Sequence, residues 1–203
     1  MTAGWTRRAF SSNGVTEFPI GPNFERLRSR YGGAVVLALD VSGSMQGDRL
    51  VKAVAGCHAF IEEAIEAGYQ VGVILWHHDV EDAVKPQSDA ADAHALIKRA
   101  FAAGGNSAVP FLALAHRQLM ALDVGDRVVA IFGDGDLGDR ALAERKATEL
   151  INDNIRILTC GLGESSAREL ASISTEDSAP RTAAADNLAE SIASMAQGLI
   201  RRD

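Results

Sequence analysis

Asp40, Ser42 and Ser44 set one carboxylate and two hydroxyls at alternate positions of the stretch Asp40-Val41-Ser42-Gly43-Ser44-Met45. All three offer oxygen, the donor that a hard cation such as Mg²⁺ takes, and Gly43 lets the backbone turn sharply between the serines. Two further loops have the same character, Gly104-Gly105-Asn106-Ser107 and Gly133-Asp134-Gly135-Asp136. The chemistry on offer is coordination of a hard metal ion, Mg²⁺ or Mn²⁺. Short polar residues also cap helices, so a cap for the following helix is the alternative reading of the first stretch. The metal reading rests on the three loops together. Asp136 is either one more ligand or a solvated loop carboxylate. His77 and His78 stand at a strand end near these loops, a position that for histidine is more often structural than catalytic.

The elements needed to position these loops are legible in the hydropathy pattern. Residues 33–40 carry an unbroken apolar run and read as a strand buried on both faces. Asp48 to Ala67 is a one-sided helix with Leu50, Val54, Cys57, Ile61 and Ala64/Ile65 on its stripe, ended by Gly68. Val71 to Trp76 is a second buried strand, and Val80 to Val84 a short edge strand stopped at Pro86. The pattern predicts a helix over Asp89–Ala103, with Leu96, Ile97, Ala100 and Phe101 inward, and another from Pro110 to about Leu122. Arg127–Phe132 and Ile155–Cys160 are buried strands, separated by a helix from Asp139, its expected N-cap, to about Asn152. Ser166 with Glu169 has the spacing of a capping box for the next helix. A weak strand near Pro180–Ala183 leads to a last helix with the stripe Leu188, Ile192, Met195 and Leu199. Strands alternate with helices throughout. The expected fold class is therefore α/β, a doubly wound, Rossmann-like, mostly parallel sheet with helices on both faces. The polar loops then fall at the carboxyl ends of strands, where open sheets of this class bind ligands.

The 203 residues suffice for one domain with a closed core, over residues 32–203, and no repeat suggests a second. Residues 1–31 differ, with five arginines against two glutamates and with Trp5, Phe10, Phe18 and Phe24. They read as an arm packed on the domain, with binding of an acidic partner as the alternative. A net charge of −7 argues against sequence-independent binding to nucleic acid. No apolar run has the length of a membrane span. The N-terminus has no apolar signal region, and the expected location is the cytoplasm. Cys57 and Cys160 are expected to be buried and reduced, and no Cys/His cluster supports zinc.

The order and spacing of the three loops resemble the von Willebrand factor A (vWA) domain and its metal-ion-dependent adhesion site. Asp40, Ser42 and Ser44 match that family's Asp-x-Ser-x-Ser loop, and Asp134-Gly135 its strand-end aspartate. Leu158-Thr159-Cys160-Gly161-Leu162-Gly163 is similar to the strand and turn that follow, and Asp-x-Ser-Gly-Ser-Met is a form common in bacterial intracellular members. The family's threonine is missing. Counting from Gly104-Gly105 favours Asn106 in its place, and hydroxyl chemistry favours Ser107, which is preferred here with Asn106 as the alternative. The resemblance implies a single vWA domain that binds Mg²⁺ (or Mn²⁺) through Asp40, Ser42, Ser44, Ser107 and Asp134. It implies a protein-interaction module, with no catalysis, that takes a partner's Asp or Glu. Intracellular relatives work beside AAA-type ATPases, chelatases, or stress-response and signalling modules. The competing expectation is a metal-dependent hydrolase or phosphatase on a similar sheet. Phosphatases of the haloacid dehalogenase type resemble Asp-x-Asp, however, and Ser42 stands where their second acid would be; serine has no tunable pKa for that role.

Overall fold

The computed structural model describes residues 32–176, 181–184 and 187–199; the arm expected over residues 1–31 lies outside them. Six strands form one sheet: β1 (Gly33–Asp40), β2 (Gln70–Trp76), β3 (Val80–Gln87), β4 (Asp126–Gly133), β5 (Ile155–Leu162) and β6 (Arg181–Ala183). Their order is β3-β2-β1-β4-β5-β6, parallel except for β3, which runs antiparallel along β2. All eight residues of β1 are buried, as a strand covered on both faces must be. Its side chains alternate between two cores. Val35, Leu37 and Leu39 join one, and Ala34, Val36 and Ala38 the other.

Three helices cover each face. α1 (Asp48–Glu66), α2 (Ala91–Lys98) and α6 (Leu188–Ala193) pack into the first core through Phe60 and Ile61, Leu96 and Ile97, and Leu188 and Ile192. α3 (Ala108–Met120), α4 (Arg140–Asn152) and α5 (Gly163–Ala171) pack into the second through Phe111 and Leu112, Leu150, and Leu170. The chain leaves β1 toward one face by α1 and leaves β4 toward the other by α4. Strand order reverses between these two neighbours, so their outgoing loops diverge and leave a crevice, the place where such sheets bind ligands.

Four expectations differ from the structure. The helix expected to reach Ala103 ends at Lys98, and Phe101 is 73% exposed instead of inward. The reason lies in backbone pairing. Ala103 N–H is given to Val41 O at 2.8 Å, and Gly104 O takes Gly43 N–H at 3.2 Å, bonds that a continued helix would forbid. Strand β3 runs through Pro86 to Gln87. Proline is tolerated on an edge strand, and here it faces Gly72, where a Cβ would stand 2.8 Å from the Pro86 ring, beside a register shift in β2. β5 continues past Cys160 to Leu162. Ser166 and Glu169 form no capping box, because α5 already starts at Gly163, whose φ of +83° turns the strand directly into the helix; Glu169 instead pairs with Arg140 at 2.9 Å. The remaining elements lie within a few residues of their expected bounds, and Asp139 caps α4 by accepting Leu142 N–H at 3.0 Å.

Candidate metal centre

The crevice is built from three loop segments that the sheet brings together. Asp40 ends β1, fully buried, and both of its carboxylate oxygens are engaged by backbone. Oδ1 accepts Ser42 N–H at 2.8 Å, and Oδ2 accepts Asp134 N–H at 3.2 Å. One side chain thus ties the first loop to the third. Burial is the main reason its pKa is raised to about 6, helped by the nearby Asp134 charge and opposed by the Ser42 and Asp134 hydrogen bonds. A buried carboxylate so disfavoured in its charged form gains from a cation beside it.

The hydroxyls continue the cluster. Ser42, 2% exposed, shares a hydrogen bond of 2.9 Å with Ser44 Oγ, and Ser44 Oγ donates to Asp134 Oδ2. The other oxygen of Asp134 accepts Asn106 Nδ2 at 3.2 Å and Asp136 N–H at 3.1 Å. Glycines make these approaches possible. A Cβ on Gly133 would stand 2.9 Å from Asp40 Oδ2, and Gly135, at φ +93°, carries the chain away from Asp134. Gly104, at φ +76°, lies against the His78 ring.

The structure therefore joins Asp40, Ser42, Ser44, Asn106 and Asp134 side chain to side chain or through a shared backbone. Ser107 is placed differently. It is the N-cap residue of α3, its N–H donates to His77 O at 2.8 Å, and its hydroxyl caps no backbone group. Asp136 turns back on its own loop, accepting Gly138 N–H at 2.9 Å.

The residues present fit a hard cation. Asn106 Oδ1 is buried without a hydrogen-bond partner among the described residues, although buried amide oxygens are nearly always paired. Its amide nitrogen already serves Asp134, so the lone oxygen is an acceptor in need of a donor or a cation. Every donor in the cluster is oxygen, and among the described residues no three His, Cys, Asp or Glu side chains gather at any metal-binding spacing. An all-oxygen donor set of this kind suits a hard cation better than zinc or copper.

His77 and His78 flank the cluster as stacked rings 4.3 Å apart. His77 is nearly buried and has no free nitrogen. Its Nδ1 accepts Asp79 N–H at 3.2 Å, which leaves the proton on Nε2 for Glu81 at 2.9 Å. Cys57 and Cys160 are free, buried thiols, and burial pushes both up in pKa, Cys160 to about 12.

Comparison with known proteins adds to this geometry. The sequence profile of the von Willebrand factor type A domain matches residues 34–197. Curated protein sequences give no match. Among solved structures, the vWF domain of the type V pili tip protein Mfa5 from Porphyromonas gingivalis superimposes with a TM-score of 0.75 at 14% identity, covering 86% of this chain and 98% of that one. The pilus adhesin SpaC from Lactobacillus rhamnosus GG gives 0.70 at 14% identity, over 83% of this chain and 30% of the adhesin. A von Willebrand factor type A protein from Catenulispora acidiphila gives 0.68 at 21% identity, over 83% of this chain and 43% of that one. The chain thus spans less than half the length of the last two.

Proposed function

The chain belongs to the von Willebrand factor type A domain family, and from that premise we propose that it is a protein-interaction module whose grip depends on a metal ion. The observation that carries the reading is the all-oxygen cluster of Asp40, Ser42, Ser44, Asn106 and Asp134, in which Asn106 reaches Asp134 through its amide nitrogen and leaves Oδ1 unpaired. These residues would hold Mg²⁺ or Mn²⁺. The third loop supplies Asn106, favoured by its hydrogen bonding, or Ser107, favoured by its hydroxyl. When bound, the ion would supply positive charge that Asp40 and Asp134 offset and the neutral hydroxyls and amide do not, and a coordination position left open on it would take an external carboxylate. The protein's own part is to hold that charge at an open crevice, with Asp40 locked by two backbone N–H groups and Asp134 locked to Ser44 and Asn106. The partner would be a protein that offers an Asp or Glu to the ion, and the likeness of fold to a pilus adhesin supports a role in interaction. Among the described residues no helix is long and apolar enough to cross a membrane. Two free thiols suit a reducing compartment such as the cytoplasm. A hydrolase reading draws no support from His77, whose ring nitrogens are both engaged.

The test is metal-linked stability and metal-linked capture. At a hundredfold excess over its dissociation constant, a bound ion adds about 2.7 kcal/mol. For a domain of this size that raises the melting temperature by about 5–10 °C. Asp40→Ala is expected to abolish the rise, and EDTA to release a partner captured in Mg²⁺. Equal melting of wild type and variant with and without metal, or capture indifferent to EDTA, defeats the proposal.

A further inference from the structure

Beside the metal loops, at the same end of the sheet, a cavity of about 190 Å³ opens between β3 and α2, lined by Leu75, Glu81, Asp82, Leu96, Arg99 and Phe101. Leu75 and Leu96 are 3% and 1% exposed and make an apolar floor, and Phe101, 73% exposed, is the apolar part of its wall. The charges at the mouth are already matched. Arg99 pairs with Asp82 at 3.4 Å, and Glu81 accepts from His77 Nε2 at 2.9 Å. A small-molecule pocket takes about 300–1,000 Å³; this cavity has room for a side chain only.

Cavity and crevice share walls. His77 meets Glu81 on one side, and on the other its carbonyl accepts Ser107 N–H of the third loop at 2.8 Å. Phe101 shortly precedes Ala103 and Gly104, whose backbones are bonded to Val41 and Gly43 of the first loop. In the sheet, Leu75 pairs with Leu39 on one side and Asp82 on the other, so two strand spacings, about 10 Å, separate the cavity from the crevice. Phe101 also has company. Val51 and Phe101 are the two most exposed large apolar side chains among the described residues. α1 runs away from the crevice and α2 toward it, and they meet at His58 and His94. Val51 lies seven residues before His58, and Phe101 seven after His94, so both stand on the crevice side of that contact. Scattered apolar residues on a surface are ordinary, whereas apolar groups gathered at one place mark interaction sites.

Resting on the metal reading above, we propose that Phe101 and this cavity select the partner: the segment that gives its Asp or Glu to the metal carries an apolar side chain about three residues away, seated between Leu75, Leu96 and Phe101. Three extended residues span about 10 Å, the distance to the crevice. A charged side chain would find its counterpart at the mouth already paired, and a polar one would lose water to an apolar floor.

Two peptides serve as probes with the full chain in Mg²⁺, acetyl-Asp-Gly-Gly-Leu-amide and acetyl-Asp-Gly-Gly-Ser-amide, followed by calorimetry and amide chemical shifts. The leucine peptide should bind about tenfold more tightly, the effect of partly burying one leucine side chain, and should shift Leu75, Leu96 and Phe101. EDTA should release both peptides. Phe101→Ser alters only an exposed side chain. It should bring the two peptides to equal affinity and leave the Mg²⁺-induced rise in melting temperature unchanged. Absence of that rise in wild type overturns the metal reading, and this proposal with it. Where the rise is present, the proposal alone is overturned if the peptides bind equally, if neither saturates at millimolar concentration, or if the preference for leucine survives in Phe101→Ser. It is likewise overturned if wild type is a dimer that Phe101→Ser dissolves, which would assign the patch to a second copy of the chain.

Discussion

At the level of single residues, the proposed metal site depends as much on the groups that support its oxygen donors as on the donors themselves. Gly133 offers no donor atom, yet a methyl there would press on the Asp40 carboxylate at 2.9 Å and on its Cβ at 3.0 Å. Asp40 is buried and held by two N–H groups, so it cannot swing aside. Gly133→Ala is therefore expected to weaken Mg²⁺ binding by about tenfold, equivalent to 1.4 kcal/mol, as read by calorimetric titration. Unchanged affinity would mean that the carboxylate position does not govern the site. The third loop poses a sharper comparison. Asn106→Ala removes the unpaired amide oxygen and the bond to Asp134, whereas Ser107→Ala removes a hydroxyl that caps nothing. The larger loss of metal affinity is expected for Asn106→Ala, and the reverse ranking would assign the ligand to Ser107.

At the level of elements, the contact between α1 and α2 has a titratable seam. His58 of α1 and His94 of α2 stack with ring centres 4.9 Å apart, and their Nδ1 atoms lie 2.6 Å from each other. At that separation one Nδ1 carries the hydrogen and the other accepts it. Burial, then the His94 and Lys98 charges, lower the His58 pKa from 6.5, and Glu62 opposes them. The sign follows from linkage. As pH falls below 6.5, the unfolded chain takes up a proton at this residue before the folded one does, so stability drops. The loss starts near the unfolded value and levels off once the folded state is protonated too. Asp40, whose raised pKa works in the opposite sense, is common to both proteins, so thermal melts between pH 8 and 5 are expected to show wild type losing stability relative to His58→Phe as pH falls. Identical slopes would show that the seam titrates no differently in the folded and unfolded states.

Over the whole molecule, the end of the sheet opposite the crevice is closed by a network that gathers distant parts of the chain. Asp126 at the start of β4 accepts from Arg156 of β5 at 3.1 Å through Nε and from Tyr69 OH at 2.6 Å. The one hydroxyl proton of Tyr69 is shared with Leu199 O, 2.8 Å away, and Arg156 donates to Gly198 O at 2.8 Å. The C-terminal turn is thereby fastened beneath the sheet. Arg156→Ala takes the guanidinium from a mostly buried carboxylate and from the Gly198 carbonyl, and is expected to cost about 3 kcal/mol. At this chain length that lowers the melting temperature by about 6–12 °C. A drop of less than 2 °C would mean that water replaces the guanidinium readily.

The alternation of strands and helices was legible without coordinates, because continuous apolar runs and 3.6-residue stripes follow from burial on two faces or on one. The loops that carry oxygen donors were legible too, since Asp40, Ser42, Ser44, Asn106, Ser107 and Asp134 are visible as residue types at strand ends. Only the tertiary structure decided where α2 stops, because the bond from Ala103 N–H to Val41 O spans elements that no local pattern relates. The same holds for Phe101, apolar in sequence yet turned to solvent by that unwinding. It also distinguished Asn106, joined to Asp134, from Ser107, held at a helix start. Adjacent residues on a loop point in different directions, and that direction is fixed by partners 28 or more residues away. The lone acceptors of Asn106 and Gln118 were equally hidden, since an unpaired atom exists only once every neighbour has been placed.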